Sequence, residues 1–278
     1  MPHALDDQAI GRFNDQGFVF PVPVLDPAEV ADCRAALEAH EARHGGTLPA
    51  EHRAKSHLLF AWIDDLIRDA RILDPIEDLI GPDILCWNTI FWIKEAGSKS
   101  FVSWHQDINY WGLAGGEVIT AWLALSPATP ESGCMRVLPG SHLDPAMAHR
   151  DSFDADNMLT RGQQIAGGID EAAAVPMALE PGEMSLHSVR LAHASGANLA
   201  ADRRIGLSLH FMPTSTYQRL AERDTAALVR GHDGHGHFDL TPRVERDFDP
   251  DLVAYRDGAM AALRDILYQG AEQTSARL

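Results

Sequence analysis

The sequence predicts a mainly β chain folded as a double-sheet jelly roll with helices at both ends. Three observations lead to that class. From residue 84 the chain breaks into short apolar segments separated by turn residues, the texture of an all-β core. Helix start signals fall before residue 82 and recur at Asp249-Pro250. No linker divides the 278 residues, a length that suits one large domain with a well-filled core.

Taken in order, residues 6–16 read as a short helix and 17–25 as a strand, which Pro21 and Pro23 assign to a sheet edge. Asp26-Pro27-Ala28-Glu29 starts the next helix: Asp26 is the N-cap, Pro27 takes the first helical position and Glu29 completes a capping box. That helix should run to about residue 43 and stop at Gly45-Gly46. A second helical region, 57–80, carries Leu58, Leu59, Trp62, Leu66 and Ile67 near helical spacing and ends at Gly81-Pro82. The first 82 residues are therefore expected to form a helical layer outside a sheet.

Candidate strands are 84–95, 100–108, 117–126, 134–139, 175–180, 183–188, 191–194 and 204–212, the complement a jelly roll needs. The β core thus covers about 84–213, followed by a C-terminal segment, about 214–278. Residues 142–174 form a long insertion rich in Asp, Ala and Gly without sustained periodicity, read either as an active-site cover or as a surface excursion. A last helix is expected over 250–268, with Gly270 as its stop.

The formal net charge of −17 argues against a nucleic acid partner, since such an interface needs clustered Lys and Arg. No apolar run approaches the ~20 residues that cross a bilayer. The opening Met-Pro-His-Ala-Leu-Asp-Asp lacks the charged and apolar regions of a secretory signal, so a cytoplasmic protein is expected. Cys33, Cys86 and Cys134 are widely spaced with no CxxC, which suggests small core residues rather than disulfides or structural zinc. The sequence does not set an oligomeric state.

The candidate chemistry centres on Ser103-Trp104-His105-Gln106-Asp107. Side chains two apart on a strand share a face, so His105 and Asp107 would present an imidazole and a carboxylate to one cavity. A second histidine would complete the two-histidine, one-carboxylate facial triad that leaves half the sphere of a ferrous ion open. The segment 186–193 offers two, His187 and His193. Alone, His105 would read better as a buried histidine satisfied by a carbonyl; the same-face Asp107 and the downstream histidine motif reverse that reading. Gly231-His232-Asp233-Gly234-His235-Gly236-His237 could hold a second metal, but a glycine-rich loop reads better as solvated or as a mobile closing segment. Tyr110 and Trp111, directly after the ligand pair, are candidates for substrate contact or simple core aromatics.

Three motifs recur in order: Trp104-His105-Gln106-Asp107, Pro139-Gly140-Ser141-His142, and His193-Ala194-Ser195-Gly196-Ala197-Asn198 with Arg203-Arg204 behind it. With Phe13–Val19 upstream, residues 8–213 resemble a bacterial branch of the phytanoyl-CoA dioxygenase family of iron(II)/2-oxoglutarate oxygenases. The resemblance implies a double-stranded β-helix, cupin-like, and a dioxygenase (hydroxylase) using Fe(II), 2-oxoglutarate and O2. It selects His193 over His187 as third ligand, leaving His187 as a neighbour or substrate contact. It also implies that Arg204 binds the distal carboxylate of 2-oxoglutarate, a task suited to a planar, always charged fork. Ser195 would add a hydroxyl, and Gln106, Trp122 and Lys94 would line the cosubstrate. His142 resembles a structural turn residue, and Gly140 serves a tight turn. Halogenating relatives carry a small residue in place of the carboxylate, so Asp107 favours oxygenation.

The expected function is hydroxylation of a small molecule with release of succinate and CO2. A 2-aminoethylphosphonate-type compound, with Arg161, Arg190 or Arg203 as added cation, or a natural-product intermediate would serve. The acidic balance gives no support to a long acyl-CoA. Two other classes compete: a cupin-like metal enzyme without oxygen chemistry, and a non-catalytic binding protein on the same scaffold.

Overall fold

The computed structural model describes residues 4–272; Met1 to His3 of the opening segment and residues 273–278 lie outside the described residues. In chain order the elements are α1 (Asp7–Gln16), β1 (Phe18–Pro23), α2 (Pro27–Arg43), α3 (Ala61–Leu66), α4 (Ala70–Ile80), β2 (Ile84–Lys94), β3 (Val102–His105), α5 (Ile108–Trp111), β4 (Leu113–Ala114), β5 (Ile119–Ala124) and β6 (Met135–Val137). There follow β7 (His149–Asp151), β8 (Gln163–Ile165), β9 (Val175–Met177), β10 (Glu183–Ser188), β11 (His193–Ser195), β12 (Arg204–Pro213), β13 (Tyr217–Gln218), β14 (Thr225–Arg230), β15 (Asp239–Leu240) and α6 (Pro250–Leu267).

A major sheet, ordered β1-β10-β5-β12-β2-β14-β15, packs against a minor one ordered β3-β11-β6-β9. β1 is an outer strand, as its prolines require. The period-2 alternation of β12 explains the layering. Ile205, Leu207, Leu209 and Phe211 join the core beneath the helices, together with Leu37, Ile63, Ile67, Ile72 and Ile76. Arg204, Ser208 and His210 point the opposite way, into the space between the sheets. β5 repeats the pattern, with Ala121 and Leu123 under the helices and Thr120 and Trp122 inside.

The expected second helical region is interrupted. Residues 57–80 hold a 3-10 turn at Ser56–Leu58, then α3 and, after a break at residues 67–69, α4 with Asp69 as its own N-cap. The expected strand 100–108 stops at His105, and α5 begins at Ile108. The insertion 142–174 carries the hairpin β7–β8. β14 extends the major sheet beyond the predicted core. α6 closes one end of the sandwich: Leu263 and Leu267 pack with Trp87 and Trp111, and Arg256 donates to the carbonyl of Ala54 at 2.7 Å. Among the described residues no helix is long and apolar enough to cross a membrane. All three cysteines are free thiols, Cys86 and Cys134 buried.

The capping box of α2 forms as predicted: Asp26 accepts from the backbone N–H groups of Ala28 and Glu29, and Glu29 accepts from Asp26 N–H at 2.8 Å. Asp26→Ala should therefore cost about 1 kcal/mol, a fall in Tm of roughly 2–4 °C for a chain of this size. Thermal unfolding followed by circular dichroism measures it.

Candidate metal centre

His105 ends β3 and His193 begins β11, and the two are Cα partners across the antiparallel ladder. Register therefore brings their rings together, with centroids 4.1 Å apart. Asp107 arrives differently from the strand expectation. It adopts a right-handed helical conformation (φ −62°, ψ −38°) as the cap of α5, so a strand-to-helix junction, not strand alternation, returns its carboxylate to His105. His105 Nε2 lies 3.3 Å from Asp107 Oδ1, and His193 Nε2 lies 4.0 Å from Oδ2.

The tautomers follow from the hydrogen bonds. His105 Nδ1 faces the Ser103 carbonyl and His193 Nδ1 faces the Leu191 carbonyl, each at 2.9 Å. A carbonyl only accepts, so both Nδ1 atoms must donate, which leaves both Nε2 atoms as lone pairs. Two lone-pair nitrogens and an anionic carboxylate then converge with their donor atoms within 4.8 Å of one another. Such a cluster is repulsive unless a cation sits in it. Burial and the neighbouring His105 push His193 down to about 4, so it stays a neutral donor at physiological pH. Burial pushes the Asp107 carboxyl up, but its contact with His105 and the charge that His193 gains in acid, below about pH 4, outweigh this and hold it below the ordinary range, so it is anionic where His193 is neutral. A thiolate-free N,N,O set fits an open, redox-active iron better than closed structural zinc.

The other motifs brace this junction. Gln106 does not line the cavity around the ligands. Its side-chain amide donates to Arg190 O at 2.6 Å and accepts from Met147 N–H at 2.9 Å, and its backbone N–H donates to His149 Nε2 at 3.0 Å. It thereby ties the ligand turn both to the approach to His193 and to the 142–174 insertion. Ser141 accepts from Ala192 N–H at 2.9 Å, and His142 donates to Asn14 O, so Pro139–His142 is structural. Gly140 has φ +78° in that turn. Asn198 donates to the carbonyls of Lys94, Glu95 and Asp202, holding the loop that leads into β12.

Beside the metal ligands lies a small cavity with Trp122, His187, Ser195, Arg204 and His210 in its wall. Arg204 is 2% exposed and is the cross-strand partner of Lys94. It donates from Nη1 to Gly133 O at 2.7 Å and lies over the Trp122 ring at 5.3 Å, while its Nε has no partner. Burial lowers its pKa to about 10, so it remains charged at pH 7. Lys94 Nζ donates to Ser195 Oγ at 2.7 Å and to Gly196 O. Among the described residues neither Arg204 nor Lys94 has a carboxylate partner. Gly206 makes the Arg204 shelf possible: a Cβ there would stand 1.9 Å from Trp122 Cζ2.

A wider cavity of ≈ 290 Å³ opens from the same ligands. Tyr110 and Trp111 line it with Ile90, Phe91, Leu263 and Leu267; Arg53, Asn88, Asn157 and Gln163 supply polar edges. Residues 155–160 of the insertion also line it, so that segment covers the site. Among the described residues, the histidines of 231–237 do not gather into a ligating trio. Sequence reasoning missed His149 and His210. His210 could have been found, because it shares strand parity with Arg204.

A model of the phytanoyl-CoA dioxygenase family matches residues 13–206. The chain belongs to that family, one of iron(II)/2-oxoglutarate-dependent oxygenases. The solved structure of ThoJ, described as a non-heme monooxygenase in its apo form, is 35% identical, covers 94% of this chain and 98% of that chain, and superposes with a TM-score of 0.83. A probable alpha-ketoglutarate-dependent hypophosphite dioxygenase of Stutzerimonas stutzeri is 28% identical over 59% of this chain and 58% of its own. Peroxisomal phytanoyl-CoA dioxygenase of Bos taurus is 26% identical over 61% of this chain and 53% of its own. The chain thus spans little more than half the length of these two curated relatives.

Burial, with Arg204 beside it, lowers the Lys94 ammonium to about 6 from an ordinary 10.5. Between those values the unfolded chain binds one more proton than the folded one, so stability rises with pH across that window. The histidines pushed down titrate below it. Lys94→Met should flatten the slope between pH 7 and 9 by up to about 1.4 kcal/mol per pH unit, read from urea unfolding at each pH.

Proposed function

We propose that the protein is an iron(II)/2-oxoglutarate-dependent oxygenase that hydroxylates a small organic molecule. The observation carrying this reading is Arg204: a buried guanidinium with no carboxylate partner, in the same cavity as three converging metal donors. An unpaired buried charge is costly, and an anionic ligand supplies the missing partner. A 2-oxo dicarboxylate meets both demands, since one end chelates a metal and the other ends in a carboxylate.

His105, Asp107 and His193 would hold Fe(II). Bound iron supplies the redox chemistry that couples oxidative decarboxylation of 2-oxoglutarate by O2, yielding succinate and CO2, to insertion of one oxygen atom into a substrate C–H bond. The chain's own residues do the rest. Arg204 takes the distal carboxylate, with Ser195 and Lys94 beside it donating hydrogen bonds and Trp122 flanking the guanidinium. Gln106, His149 and Ser141 hold the ligand backbone in register, as outer partners of metal ligands do. Phe91, Trp92, Trp111 and Leu263 keep water from the reacting face.

The wider cavity suits a largely apolar molecule with a few hydrogen-bonding groups, such as a natural-product intermediate. The cations expected for a phosphonate are occupied or turned outward: Arg161 pairs with Asp151, Arg203 binds Glu41 and Glu95, and Arg190 is exposed. A phosphonate or related phosphorus compound remains the second reading. Arg53 favours it, lining the cavity with an unpartnered buried Nε, as does the hypophosphite dioxygenase similarity.

Anaerobic Fe(II) and 2-oxoglutarate should together give the weak visible charge-transfer band of the chelate. Asp107→Ala should abolish both that band and succinate release; their survival would refute the ligand set. Arg204→Ala should raise the 2-oxoglutarate requirement roughly 100-fold, corresponding to about 3 kcal/mol for a broken buried charge pair, with iron affinity largely kept. Unchanged dependence would assign the carboxylate to another residue. A screen of apolar metabolites against aminophosphonates, reading succinate above the uncoupled background, separates the two substrate readings.

A further inference from the structure

At the end of α2, well before the catalytic ligands in sequence, three more imidazoles meet. His40 and His44 are four residues apart, on one face of the helix end, and His52 comes from the 3-10 turn Ala50–His52. Each offers a nitrogen within 4.8 Å of the others. We propose that His40, His44 and His52 form a second metal site, taking a divalent transition ion of the zinc type.

The geometry carries this. His40 Nε2 and His52 Nδ1 face each other at 3.1 Å. Two nitrogens ~2.0–2.1 Å from one ion and about 100° apart have roughly that separation. His44 Nδ1 donates to the His40 carbonyl at 2.8 Å, which frees its Nε2 lone pair and fixes the ring. The rings are supported on the far side: Phe248 stacks on His40 at 4.7 Å and 9°. His40 is 2% exposed, whereas His44 reaches solvent, so the trio is a concave site with an outward opening for a fourth ligand.

The donor set selects the ion. Three neutral nitrogens without a carboxylate suit Zn(II), Ni(II) or Cu(II) rather than Mg(II) or Ca(II). Nearby charges are mixed: Arg43 and Arg256 oppose a cation, while Asp247, Glu51 and Asp257 favour one. The excess of acidic groups over the whole chain tips the balance towards binding.

Zinc binding to the tag-free protein, counted by isothermal titration and by metal analysis after dialysis, tests the site. The double variant Asp107→Ala/His193→Ala removes the catalytic ligands and should retain one tight zinc. Adding His44→Ala should weaken that zinc at least about 100-fold, more than the loss of an outer-shell partner costs; the exposed position keeps the fold, as circular dichroism verifies. In the same double variant, where the catalytic ligands cannot take the ion, Cu(II) should show an electron paramagnetic resonance signal with nitrogen splitting that His44→Ala removes. Failure of the double variant to bind zinc at micromolar concentration, or an affinity indifferent to His44→Ala, would overturn the second site while leaving the oxygenase reading untouched.

Discussion

The arrangement of this molecule follows from an electrostatic conflict: two imidazole lone pairs and a carboxylate point at one another from a strand pair and a strand-to-helix turn. Left alone they repel, so everything around them keeps them aimed. The carbonyls of Ser103 and Leu191 settle the tautomers. The amide of Gln106 ties the turn to two other segments, and Ser141 holds the peptide just before His193. The large number of backbone contacts made by these side chains explains why the motifs are longer than the set of donors they contain.

A second conflict lies one layer away. Arg204 and Lys94 are adjacent across a strand pair and buried, so close that burial and Arg204 strip the lysine of its proton while the guanidinium keeps its charge. Lys94 reaches Ser195, two residues past His193 on β11, so a hydrogen bond joins the Arg204 floor on β2 and β12 to the strand that carries a metal donor. An anion bound on that floor and a cation bound in the cluster would each relieve what the chain has concentrated. The two ends of a 2-oxo diacid fit this division of charge.

Much of this was legible in the sequence because the decisive signals are short-range. The capping box of α2, the alternation along β12 and the His105/Asp107 spacing each lie within a few residues. The strand-based reason for the last pair was incomplete, since Asp107 has already entered a helix turn. Gln106 looked like a cosubstrate contact because of its neighbours in sequence, yet its amide is taken up by Arg190 and Met147, which pairwise spacing does not reveal. The insertion hid its hairpin because β7 and β8 are only three residues each and mostly polar. His149 depends on how distant segments pack, which periodicity does not report; the spacing of His40 and His44 was visible on α2, but the turn that brings His52 to them was not.

Gly206 sits two residues after Arg204 on the same face of β12, and the indole of Trp122 occupies the volume its side chain would need. The flat cationic shelf is thus created by an omission among the atoms that point between the sheets. The shelf then depends on a missing carbon as much as on any charged group, because the ring can lie down only where nothing stands beneath it.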